Sequence, residues 1–245
     1  MRNFFWIFMH YFKRNILDVG NLLLIGLPLI FIFTFHLVGQ FETAGVNLDT
    51  VDTTVIDMLN VLIVLGFQFY GADNVTHSLH HDFKGSVRAR LFVTGTDQRI
   101  FFLAVLVVNW LYSFVIGMLL VAITTLFFHV DYWGNYSLVM LVILFLSLLA
   151  QLVGVLIFYF TKDKKSAASV VHLFGEVMLG TTFIIFINVG EVIGNLSNQL
   201  PIQLGLQVIE ANSISNALPS LTILLGYCTI LALMVFFIGR RRHYV

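Results

Sequence analysis

The chain has 245 residues, of which 59% are hydrophobic and 11% charged, and its mean hydropathy is +0.94. That balance excludes a soluble globular domain and identifies an integral membrane protein. Thirteen basic and thirteen acidic side chains cancel to a net charge of zero, but they are segregated along the chain, so neutrality does not mean that charge is unimportant.

Residues 1–18 are predicted to form an amphipathic helix lying in the membrane interface. Phe4, Phe5, Phe8, Phe12 and Ile16 fall near one side of it, with Asn3, His10, Lys13 and Arg14 mostly on the other. Lys13 and Arg14 interrupt the apolar stretch and no small-residue cleavage site follows, so removal as a signal peptide is not expected. Six runs then approach or exceed the ~20 residues that span a bilayer as a helix. They are residues 20–38, 54–72, 100–128, 138–160, 167–188 and 219–238. Their continuous apolarity favours helices over the alternating pattern of barrel strands, and the expected fold class is an all-α integral membrane protein. Cys228, the sole cysteine, lies in the last run, so no intramolecular disulfide forms and a small packed side chain is expected.

The basic residues give an orientation. Arg2, Lys13 and Arg14 precede the first run, and Lys84, Arg88, Arg90 and Arg99 lie between the second and third. Lys162, Lys164 and Lys165 lie between the fourth and fifth, and Arg240, Arg241 and Arg242 follow the sixth. An even-numbered topology puts all of them on one side, so the positive-inside rule makes both termini cytoplasmic. Glu42, Asp49, Asp52, Asp131, Glu191 and Glu210 fall on the other side. Tyr132, Trp133 and Tyr136 occupy a short outer turn, where rings at the headgroup level are expected. Residues 189–218 are too polar to span and too apolar for a free loop. Helical spacing of Val189, Val192, Ile193, Leu196 and Leu200, then Leu204, Leu206, Val208 and Ile209, predicts short helices dipping into the outer leaflet.

The chain has no GxxxxGK[ST] loop, no GxSxG elbow and no HExxH helix, so it does not cradle ATP by itself and lacks the common hydrolase signals. Ionisable and polar groups inside the runs are candidates instead. Asp57, Asn60 and Gln68 share a face of the second run and are expected to line a substrate pathway or a helix contact. His172 and Glu176, four residues apart in the fifth run, are positioned to pair, to line the same pathway or to face a neighbouring chain. His77, His80, His81 and Asp82 have metal-ligand spacing but no complementary ligand set, and no metal is expected. Ser113 and Gly117 have the small-xxx-small spacing that permits close helix approach.

The polar stretch 77–99 carries Asp82-Phe83-Lys84-Gly85, then residues 88–94, then Asp97-Gln98-Arg99. Together with the interfacial helix, six runs and an apolar outer segment before the last, it resembles the permease subunit of the type-2 (ABC-2 type) ABC exporters, which handle drugs, antimicrobial peptides, polysaccharides and lipids. The stretch is similar to that family's acidic-x-x-Gly pattern followed by a leucine-bearing turn and a basic residue, with Asp82 where glutamate is usual and Thr96 where proline is frequent. The resemblance implies a cytoplasmic coupling helix in 77–99, with Asp82, Phe83, Gly85, Val87, Arg88, Arg90 and Leu91 at the contact with a separate ATP-binding subunit. It also implies two copies of that subunit, a second identical or different permease chain, and ATP with magnesium held by the ATPase and no cofactor by this chain. A bacterial plasma membrane is the expected location, and no nucleic-acid partner is expected. Two other classes compete: an intramembrane enzyme built on His172 and Glu176, and a self-contained secondary transporter, for which internal repeats would be usual and none is visible. A non-transporting immunity or sensor subunit on the same scaffold is a milder variant.

Overall fold

A computed structural model describes residues 2–17, 20–43, 53–84, 98–183, 197–211 and 213–241, and the structural statements below refer to these. They are helical almost throughout, with no strand among them. An apolar chain with no water to satisfy its backbone has this solution open to it, because each helix bonds its own N–H and C=O groups. Helix α1 is Arg2–Leu17, α2 is Gly20–Thr43, α3 is Thr53–Phe67 and α4 is Ala72–Leu79. Then come α5 at Gln98–Phe128, α6 at Tyr136–Phe160, α7 at Lys164–Phe183, α8 at Pro201–Glu210 and α9 at Ile214–Arg241.

Four segments are long and apolar enough to cross a membrane: Ile56–Lys84, Gln98–Phe128, Tyr136–Phe160 and Ile214–Arg241. A shorter apolar stretch, Leu24–Leu37, lies within α2. The first of the four is a single rod in which α3 passes through a 3-10 turn, Gln68–Gly71, into α4 and then a π turn, His80–Lys84. It therefore runs twelve residues past the expected end at 72, and the polar stretch from His77 to Lys84 is helix rather than loop. The α9 helix likewise starts before Pro219, which falls inside it.

The rod and α6 form the centre, with 67% of each one's most apolar stretch buried, against 33% for α5 and 17% for α9. They lie parallel. The Gln151 side chain reaches the Gly71 carbonyl at 3.0 Å, Thr76 Oγ1 donates to the Gly154 carbonyl at 2.9 Å, and His80 Nε2 meets Thr161 Oγ1 at 2.9 Å. Helix α5 runs the other way, bringing Gly117 against Gln68, Ser113 against Gly71 and Phe102 against Phe83. The close approach predicted for Ser113 and Gly117 is thus present. Helix α9 starts beside the start of α6, where Asn135 Nδ2 donates to the Ala211 carbonyl at 3.0 Å.

These directions define two poles. Arg14, Lys84, Arg99, Lys162, Lys164, Lys165, Arg240 and Arg241 sit at helix ends gathered at one of them. The basic segregation read along the chain is thereby a spatial one. At the other pole the chain reverses between α5 and α6 through left-handed residues, His129 at φ 55°, Trp133 at φ 51° and Gly134 at φ 70°. Tyr132 in this turn is fully buried and bonds Thr124 Oγ1 at 2.8 Å, so it is a core residue and not the headgroup ring expected. Burial pushes its phenol far above the ordinary tyrosine range. Tyr136 is half exposed. The α8 helix realises part of the amphipathic segment read at 189–218, while 189–196 lies outside the described residues. It is buried on nearly every side, and Gly205 permits this: a Cβ there would stand 2.9 Å from Val142 Cγ1.

Candidate functional site at the basic pole

Two helices, α1 and the rod, meet at Asp82. It is 3% exposed, and the cost of burying a lone carboxylate is offset here by its partners. Tyr11 Oη donates to Asp82 Oδ2, Arg14 Nη1 lies 3.5 Å from the same oxygen, and His81 Nδ1 lies 2.7 Å from Oδ1. Burial first, and then the Asp82 carboxylate, pushes the Tyr11 phenol far above its ordinary range, so its proton stays in place to be donated. The Arg14 guanidinium stacks 4.4 Å from the Tyr11 ring centroid and donates to Ser78 Oγ. One turn further along α1, Asn15 Nδ2 donates to Asn109 Oδ1 of α5 at 3.0 Å, and Asn109 Nδ2 returns to the Val105 carbonyl at 2.7 Å.

The face of α1 turned inward is therefore polar, with Tyr11 and Asn15 buried, while Phe5, Trp6, Met9 and Ile16 point out. Phe8 and Phe12 pack along the edge against the core. A membrane outside would suit this arrangement, since the exposed rings would meet lipid while the polar groups satisfy one another. Tyr11, Asn15, Ser78 and Asn109 were not singled out by sequence reasoning. The available signal was the spacing of four between Tyr11 and Asn15, opposite Phe5, Met9 and Ile16.

The π turn fastens the foot of the rod to the end of α6. Lys84 Nζ donates to the Phe158 carbonyl at 2.8 Å and to the Thr161 carbonyl, and lies 4.5 Å from the Phe158 ring centroid. It thus serves carbonyls that have no intrahelical partner and meets the negative end of the α6 dipole. Thr161 Oγ1 donates to the Ile157 carbonyl at 2.7 Å, which leaves His80 Nε2 as the donor in its bond to that hydroxyl. Phe83, 5% exposed, sits in an aromatic box with Phe101 at 5.5 Å, Phe102 at 6.2 Å and Phe158 at 6.3 Å between ring centroids. Asp82 and Phe83 therefore both face into their own chain. The remaining residues expected at a partner contact, Gly85, Val87, Arg88, Arg90 and Leu91, lie outside the described residues. His80 and His81 point to different partners, and among the described residues no group of three metal donors converges.

The five residues expected to line a pathway are not brought together. Asn60 and Gln68 are buried between helices, with Gln68 Nε2 on the Val64 carbonyl at 3.3 Å and its amide against Gly117. Asp57 lies at the far pole near Asp131 and His36. His172 and Glu176 share the outer face of α7, both exposed, with no hydrogen bond or ion pair between them; His172 instead lies 6.0 Å from the Tyr70 ring. The pairing across one helical turn is not formed.

At mid-depth, where the rod switches to 3-10 geometry, Gln151 Nε2 bonds both the Gly71 carbonyl and Ser113 Oγ, the latter at 2.8 Å. A 3-10 turn disturbs the i to i−4 ladder, and a side chain from the neighbouring helix satisfies the disturbed backbone. No protein-family model and no curated protein matches this chain.

Proposed function

We propose that this chain is the membrane-spanning permease subunit of an ABC-2 type exporter. It crosses a bacterial plasma membrane six times with both termini cytoplasmic and moves a hydrophobic or amphipathic substrate outward on energy from a separate ATP-binding subunit. The observation that carries this reading is the anchoring of the polar segment at both ends. It leaves the rod at Lys84, tied to the end of α6, and returns at Gln98, beside which Phe101 packs on Phe83 at 5.5 Å.

A segment held this way is a lever. Displacement of residues 85–97 by a nucleotide-driven partner has to move the rod, α5, α6 and α1 together, because the Asp82 cluster and the aromatic box leave little room for independent motion. In this reading Asp82 and Phe83 fasten the coupling segment, while Gly85, Val87, Arg88, Arg90 and Leu91 meet the ATPase. The exposed His172 and Glu176 of α7 then belong to the surface facing a second permease chain, where substrate passes. ATP and magnesium are the partner's.

The reading predicts copurification with an ATP-binding subunit and uptake into inverted vesicles that requires ATP. Normal transport by the chain alone, with no nucleotide-binding partner, would refute it. Phe83→Asp would bury a carboxylate in the aromatic box, so Leu91→Asp is the cleaner test of coupling. It should leave membrane insertion intact and at least tenfold reduce ATP-dependent transport; unchanged transport removes the coupling role.

A further inference from the structure

The outer face of α7 carries Val170, Leu173 and Val177, all exposed, together with exposed Ser169, His172, Glu176 and Gly180. The aliphatic side chains suit lipid, but Glu176 does not, because an ionisable group at membrane depth needs a partner. Among the described residues it makes no hydrogen bond or ion pair, and His172, one turn away, makes none either. An acid and a base thus share one uncovered face. Ser169, Leu173, Glu176 and Gly180 follow one another at intervals of four, three and four, the spacing of a coiled-coil seam. A Cβ at Gly180 would meet nothing within 4 Å, so the chain's own packing does not require a glycine there, whereas helices that come close in membranes use such small residues.

We infer that α7 is the contact between two copies of this chain, with Glu176 of each copy accepting a hydrogen bond from His172 of the other. The inference rests on the reading of α7 as a membrane span, since a two-fold axis along the membrane normal then runs both α7 helices in the same direction. A two-fold interface is self-complementary, so a face that holds both an acid and a base forms the pair twice. The two partners are offset by one turn, comparable to the offset that charges at the e and g positions of a coiled coil bridge. The imidazoles also lie beside the two carboxylates, which would otherwise repel across the axis. Self-complementarity is what singles out a second copy. A lipid tail leaves both groups unpaired, and a dissimilar chain would need only one of the two to be present here.

Energy transfer between differently labelled copies of the full chain in phosphatidylcholine vesicles, followed as lipid dilutes the protein, tests this. His172→Glu leaves two acids on the face and Glu176→His two bases. Each variant alone should associate roughly tenfold or more weakly than the parent, the size that two interhelical hydrogen bonds carry. Their equimolar mixture restores both pairs and should return to within about threefold of the parent, as expected of directly coupled residues. Thermal melting of each variant dispersed in detergent reports folding separately. Leu173→Cys in a Cys228→Ser background keeps His172 and Glu176 and should give a disulfide-linked dimer on oxidation in vesicles. A parent chain that stays monomeric overturns the proposal and assigns the face to lipid or to a different chain. It is equally overturned by either variant associating as tightly as the parent, by a mixture no tighter than its components, or by absence of the linked dimer. No ATPase enters these measurements. Self-association without ATP-dependent transport therefore removes the export reading alone, and transport by a chain that does not self-associate removes only the pairing of identical copies.

Discussion

Two sets of polar residues that look alike in sequence have opposite surroundings in the fold. Asn60 and Gln68 sit within an apolar run at helical spacing and are buried among their own chain's helices. His172 and Glu176 also sit within an apolar run at helical spacing, yet both lie on the outer face of α7 next to exposed Leu173 and Val177. Periodicity tells which polar residues share a helix face; it does not tell which way that face turns. The difference is set by what opposes each face. Glycines and small polar residues on α5 and α6, notably Ser113, Gly117 and Gly154, allow the rod to approach closely enough to cover its polar side. On α7 itself Gly175 admits the Tyr70 ring, while the neighbouring face of His172 and Glu176 stays uncovered.

The largest effect is expected where the inward contact is closest. A Cβ at Gly154 would stand 2.6 Å from the Ala72 carbonyl oxygen and 2.6 Å from Val75 Cγ1. Backbone cannot yield as a side-chain tip can, so Gly154→Leu should destabilise by about 3 kcal/mol or more, at the upper end for overpacked cores. The outward face offers the contrast, because Leu173→Ala and Glu176→Gln should each stay within about 0.5 kcal/mol. Thermal unfolding in detergent measures all three. Equal losses on the two faces would mean that α7 is covered in the solubilised protein, as the proposed second permease chain would cover it, and that the contrast holds for the single chain alone.

Next in size is Asp82→Ala. It leaves the Tyr11 hydroxyl and the Arg14 guanidinium without their shared acceptor. A fully buried pair would lose about 3–5 kcal/mol. Arg14 is 33% exposed and can turn to water, so about 1–2 kcal/mol is expected here. Tyr11→Phe should lose about 1 kcal/mol, and the double variant should cost less than the sum, because both remove one interaction. Additive losses would show that Tyr11 and Asp82 act separately.

The fold class was legible because continuous apolar runs leave a chain few alternatives to helices, and the basic pole was legible because charge cannot hide inside those runs. The length of the rod was not. His77, His80, His81, Asp82 and Lys84 read as a polar interruption, but Asp82 found partners on α1, and His80 and Lys84 found theirs at the end of α6, so the helix could continue through them. Asp82 and Phe83 were visible as part of a motif, whereas their inward direction depends on Tyr11, seventy-one positions away in sequence, and on Phe101 and Phe158. Such a pairing leaves no local mark. The 3-10 turn at Gln68–Gly71 is equally silent in sequence, and Gln151, which satisfies it, looks like an isolated polar residue in a run of leucines.

That isolated glutamine gives the third prediction. Gln151→Leu removes the donor shared by the Gly71 carbonyl and Ser113 Oγ. Hydrogen bonds between helices in membranes average about 0.6 kcal/mol with a maximum near 1.7. With a disturbed backbone carbonyl among the acceptors, about 1–1.5 kcal/mol is expected by unfolding in detergent. A neutral result would mean the rod recovers α geometry at Gly71, and faster or slower amide exchange of residues 68–76 would distinguish that recovery from a simple lack of effect.

The smallest effect belongs to a polar group that is wholly on the surface. Asp163 precedes α7 and accepts from the Ser166 backbone N–H and hydroxyl, each at 2.8 Å, in the manner of a helix N-cap. Those bonds, first the backbone and then the side chain, hold its carboxyl below the ordinary range. A carboxyl depressed in the folded state stabilises above its unfolded pKa and loses that contribution as pH falls through its folded value. The cap is therefore complete at neutral pH and weakens only on acidification below the usual carboxylate range. Hydrogen exchange at the first-turn amides of α7 reads this directly. Asp163→Ala should raise their exchange several-fold at neutral pH while leaving amides of the rod unchanged. Acid should bring the parent chain toward the variant. If parent and variant exchange alike at neutral pH, solvent satisfies the first turn as well as the carboxylate does, and the contrast between surface and buried aspartates is sharper still.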